Sequence, residues 1–173
     1  MESSIYSIRK NFLIPLGLVV LLSIVLLISA LLLQLPTAKT IILGAFLLPA
    51  CIIFAESCLR KVHIDEDAIE VNKLFRSKRI SYTDLTAVDT IQVRKRVFVS
   101  LSSENDFMIL SNSYDHFGLL LKQLVAKVPE SVVSDETQKL VENPPQKCSD
   151  IFSAWLAVAV LALIIYVQLR GAF

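Results

Sequence analysis

The sequence predicts an α+β membrane protein. Three transmembrane helices accompany a small antiparallel β-sheet or barrel that a C-terminal helix caps. Three observations carry this. Two long apolar runs come early in the chain and a third comes late. Between the second and third, apolar and polar residues alternate with the two-residue period of strands. From Phe117 the alternation gives way to a helical period.

The apolar runs come first. Hydrophobic residues make up 54% of the 173 residues and charged ones only 19%, against roughly 25% charged in soluble proteins. Residues 12–35 hold no ionisable side chain, and at ~1.5 Å per residue they cover ~36 Å, enough to cross a bilayer with tilt. Residues 40–59 are a second run with one acid, Glu56, and residues 151–169 a third with none. A cleaved signal would have an apolar stretch of only ~7–15 residues, so an uncleaved hairpin is expected. Residues 1–11 are the segment before it and 170–173 a short tail.

Lys and Arg at span ends set orientation. Arg9 and Lys10 precede the first span, and Arg60 and Lys61 follow the second. The expectation is an inside N-terminus, residues 60–150 inside, and the C-terminus outside. Cys51 and Cys58 are ~10 Å apart along one helix, too far for a disulfide. Cys148 has no evident partner, which fits a reducing compartment. Glu56 is the candidate intramembrane polar residue. It lies within a turn of the span end with Arg60 four residues on, the spacing of a helix ion pair. The rival role is a small transporter or channel subunit using Glu56, to be tested by Glu56→Gln in an ion-flux assay.

Residues 60–129 form the predicted domain. Val62 and Ile64, then Ile69 and Val71, alternate around the polar break Asp65-Glu66-Asp67. Ile80 and Tyr82 begin another strand, Thr86 to Val93 a fourth, Val97 to Leu101 a fifth, and Phe107 to Leu110 a sixth. Ser111-Asn112-Ser113 is an expected N-cap. Phe117, Leu120, Leu121, Leu124, Val125 and Val128 then make one apolar stripe, and Pro129 ends the helix. Residues 130–150 read as a linker, with a short helix from Asp135 to Glu142 stopped by Pro144-Pro145.

The segments "HIDEDAIEV", "LFRSKRISYTDLTAV", "VFVSLSSENDFMIL" and "YDHFGLLLKQL" occur in this order. Together they resemble the bacterial pleckstrin-homology-like (PH-like) domain. That family has an acidic x-D-x-D-x-I hairpin turn and a strand ending in Ile-x-Trp/Tyr-x-Asp-Ile/Leu, matched here by Ile80, Tyr82, Asp84 and Leu85. The resemblance covers roughly residues 60–130. It implies the fold, and a bacterial inner-membrane protein whose membrane hairpin precedes the domain.

No catalytic, cofactor or metal site is expected. The one glycine between the second and third spans, Gly118, excludes a glycine-rich phosphate loop, and no G-x-S-x-G elbow occurs. His63 and His116 lack partners at metal-ligand spacing. The candidate binding residues are Arg76, Lys78, Arg79, Arg94, Lys95 and Arg96. Residues 73–96 hold seven bases against two acids, but acids elsewhere cancel them across the domain. A nucleic-acid module would be strongly basic throughout, so nucleic acid is not expected as a partner. The two basic turns are expected to share one electropositive face for anionic lipid or an acidic protein surface. Inositol phosphates are disfavoured, because the first hairpin turn is acidic. The expected role is binding, scaffolding or assembly in a membrane complex, with a membrane-protein partner or a second copy. An anionic-lipid-binding module is the alternative.

Overall fold

The computed structural model describes residues 4–94, 96–104, 106–144 and 149–170. The chain divides into two compact units. One gathers the N-terminal strand and the chain from Leu59 onward through the sheets, and the other gathers three long helices.

The helical unit contains α1 (Lys10–Leu32), α2 (Thr37–Leu59) and α5 (Ser149–Arg170). All three are long and apolar enough to cross a membrane. Each extends a few residues past or short of the expected bounds. The α1–α2 turn is a Schellman cap without glycine. Gln34 takes a left-handed φ of 50°, its N–H donates to Leu31 O at 3.2 Å, and the Leu35 N–H donates to Ala30 O at 3.0 Å. Pro36 then prevents the first helix from continuing. Within the unit α5 packs along α1, where Gln168 Nε2 donates to Ser29 Oγ at 2.8 Å. Gly17 lets the Phe54 ring approach, since a Cβ there would meet it at 3.1 Å.

The other unit holds two antiparallel sheets rather than the expected single sheet or closed barrel. The first has the order β1 (Ser4–Ser7), β2 (Lys61–Ile64), β3 (Ala68–Asn72), β4 (Ser77–Ser81). The second has the order β5 (Leu85–Val93), β6 (Arg96–Ser103), β7 (Phe107–Ser111). Strand β1 was not expected. Its four residues are too few to show a period, and its partner lies beyond both membrane helices. Ile80 lies near the end of β4 instead of opening a strand, and Tyr82, past its end, begins a single 3₁₀ turn.

The alternation buries Val62, Ile64, Ile69 and Val71 of the first sheet and Val97, Val99, Leu101 and Leu110 of the second. Helix α3 (Phe117–Val125) covers this core with Phe117, Leu120, Leu121 and Leu124, all buried. Its cap differs from expectation. The residue before the helix is His116, in left-handed conformation with no side-chain cap bond. Ser111 to Ser113 are engaged elsewhere, because the Asn112 N–H donates to Val97 O and Ser113 O accepts from the Arg9 N–H.

Residues 130–144 are not a free linker. Val133 bridges Val88 in parallel, and α4 (Asp135–Glu142) buries Thr137 and Leu140 against the sheet unit. Ser134 caps α4, accepting from the Thr137 N–H.

Candidate functional site

The register of the first sheet sorts charge. Ser7, Lys61, Asn72 and Ser77 form one rung across all four strands. At this end β1 leads within three residues to α1, and α2 ends two residues before β2. The β3–β4 turn closes here too, with the Lys73 N–H donating to Arg76 O at 2.9 Å. Arg9, Arg60, Lys61, Lys73 and Arg76 therefore all belong to this end. Asp115 joins them through its N–H on Ser7 O. The opposite rung carries the turn Asp65-Glu66-Asp67, where the Asp65 N–H donates to Ala68 O at 3.0 Å.

The second basic turn reaches the same end by another route. Arg94 sits at the tip of the β5–β6 hairpin with a φ of 56°, in the left-handed region. Arg96 opens β6, next to Val97, whose carbonyl holds Asn112. The adjoining Ser113 carbonyl holds the Arg9 N–H at 3.3 Å, and Arg9 Nε donates to Tyr114 O at 3.3 Å. The Arg96 end of β6 thus lies close to Arg9. Lys95 lies outside the described residues.

Lys78 and Arg79 are placed differently. Lys78 Nζ pairs with Asp106 at 2.7 Å and sits over the Phe107 ring, 5.1 Å from its centre. Arg79 reaches Asp65 at 4.0 Å. Asp106 follows Ser103, seven residues along β6 from Arg96, or ~23 Å at strand rise. Strand β6 therefore crosses the first sheet from the β1 edge to the β4 edge. The two basic turns belong to the same end of the unit, where the rung carries Lys61 and where Arg9 follows two residues after Ser7. Sequence reasoning took those bases for orientation signals alone, because the β1–β2 pairing that seats them could not be seen.

Three other features have chemical character. A polar groove of about 550 Å³ is lined by Arg79, Asp84, Thr86, Ser103, Glu104 and Asp106. Among the described residues no three metal-ligating side chains cluster. Tyr82 is buried, and desolvation, with the negative Asp65 second, pushes its phenol up to about 12. Its hydroxyl donates to Asp65 O, which also accepts from Lys127 Nζ. These contacts tie the end of α3 to the acidic turn. The outer face of the second sheet exposes Ile91, Val93, Phe107 and Ile109, each more than half exposed.

Glu56 lies half-buried in the last turn of α2. Elsewhere in the helical unit Ser23 Oγ donates to Val19 O and Ser29 Oγ to Leu26 O, so these hydroxyls are satisfied within α1. No family model, no curated protein and no solved structure matches this chain.

Proposed function

We propose that the chain is a membrane-anchored binding module of PH-like type, held by its basic end on anionic headgroups. One observation carries this reading: bases collect at the end of the sheet where both helix connections leave, and the acidic turn Asp65-Glu66-Asp67 lies at the other end. A base near an anionic leaflet is attracted by about 1 kcal/mol, within a Debye length. Each contact is weak alone, so the effect is collective and falls with salt. The order of the sheet unit, seven strands followed by α3, supports the PH-like reading, with α4 as an addition to it.

The test uses the full chain in nanodiscs of anionic or zwitterionic lipid, read by amide hydrogen exchange. The turns at Lys73–Arg76 and Val93–Arg96 should exchange more slowly in anionic discs at low salt. The difference should vanish at high salt and in the variant Arg76→Glu/Arg94→Glu/Arg96→Glu. Equal exchange in both lipids at low salt would remove the headgroup reading.

A second reading, a subunit of a membrane assembly, is favoured by the outer face of β5–β6–β7. Antiparallel sheets with one free face normally make that face polar, yet here Ile91, Val93, Phe107 and Ile109 face outward. A photo-crosslinker at Ile109 should capture a protein in native membranes. No adduct would count against assembly through this face.

A further inference from the structure

Among the described residues no large apolar side chain is more exposed than Phe75, at 90%. It lies in the β3–β4 turn with Lys73 and Arg76 on either side, all exposed. A phenyl ring held in water at a turn tip adds nothing to the core. Turns between strands favour small polar residues, and Lys-Leu-Phe-Arg is the opposite.

The position of the turn explains the composition. Asn72, which precedes the turn, pairs directly with Lys61, and Lys61 is two residues from the end of α2. Neighbouring strands are ~4.8 Å apart and a residue spans at most ~3.6 Å, so chain geometry alone keeps Phe75 within about 23 Å of Leu59. Where α2 leaves the bilayer, that reach includes the interfacial layer, in which aromatic rings with polar flanks are stable.

We infer that the Lys73–Arg76 turn is a membrane-inserting element. Phe75 enters the boundary between headgroups and acyl chains, and Lys73 and Arg76 contact lipid phosphates. The inference rests on the headgroup reading for its orientation. Its driving force is different, however, because burial of a ring is insensitive to salt.

Trp155 is the only tryptophan, so Trp155→Phe/Phe75→Trp places one indole at the turn. The full chain carrying both changes is reconstituted in vesicles whose lipids are brominated near the glycerol end or near the chain terminus. Insertion gives blue-shifted emission that shallow bromines quench more than deep ones, and that aqueous iodide barely reaches. The quenching should persist at high salt and weaken with Lys73→Glu/Arg76→Glu. Red-shifted emission quenched by iodide and untouched by bromolipid would overturn the inference. Blue-shifted emission without bromolipid quenching would also overturn it, and would place the ring against protein. Bromolipid quenching without any anionic preference in hydrogen exchange would retain insertion while the headgroup reading falls. The reverse pattern would retain the headgroup reading alone.

Discussion

Thr137→Val separates a docked α4 from a passive linker. Thr137 is fully buried, and its hydroxyl lies 3.2 Å from Val88 O, 2.8 Å from Thr90 Oγ1 and 2.9 Å from Ser134 Oγ. A carbonyl only accepts, so the single Thr137 proton goes to Val88 O. Thr90 and Ser134 must then both donate to Thr137. Valine keeps the volume and deletes this junction. Val88 O retains the Ser134 N–H at 3.0 Å, so the loss falls on two part-buried hydroxyls deprived of their acceptor. Net hydrogen bonds contribute about 1 kcal/mol each, and partial hydration of the two hydroxyls softens the loss, so the expected cost is about 1–3 kcal/mol. For a unit of this size that lowers Tm by roughly 5–15 °C. Thermal unfolding of the reconstituted chain reads the global effect. Hydrogen exchange over residues 135–142 reads the local one and should rise first there. Unchanged exchange and unchanged Tm would refute the docking of α4 through this hydroxyl.

Three further outcomes are expected. Leu124→Ala removes a fully buried stripe residue of α3 and should cost ~2–5 kcal/mol, read as lost Tm. The Tyr82 phenol is raised from 10.0 to about 12, so the fold favours its neutral form. That stability is complete below pH 10 and is lost as pH rises through about 12. Wild type should therefore lose Tm more steeply than Tyr82→Phe between these values, and parallel curves would exclude the effect. Reporters fused after Leu59 and at Phe173 should report opposite compartments, and same-side signals would mean that one apolar helix does not span.

The long apolar helices were legible because their signal is long and local. Residues 12–35 carry no charge whatever the rest of the chain does. The strands Val62–Ile64, Ile69–Val71 and Val97–Leu101 were legible because one face is buried and the other is not. What failed depended on distant partners. Ser111 to Ser113 looked like a cap, but their backbone belongs to β6 and the N-terminal segment. Residues 130–144 looked like a linker because the Thr137–Thr90 contact spans 47 residues. In the candidate site, the two basic turns could be read from the sequence. That β1–β2 pairing seats Arg9 and Lys61 beside them, and that Lys78 and Arg79 face Asp106 and Asp65, could not, since strand pairing is a property of the fold. Phe75 passed as an unremarked member of the basic strip, because only the register shows which end of the sheet its turn occupies.

The pairing of β1 with β2 joins residues that flank the whole α1–α2 segment. Open strands do not cross a lipid core, so Ser4–Ser7 and Lys61–Ile64 must lie on the same side of the membrane for their hydrogen bonds to form. The number of crossings between them is therefore even. If one of the two helices failed to insert, β1 would be stranded across the bilayer and the edge of β2 would stand bare, the kind of edge that recruits aggregation. For a hairpin that spans, the four-residue strand would thus be a parity check on insertion, with the sheet complete only when both helices cross.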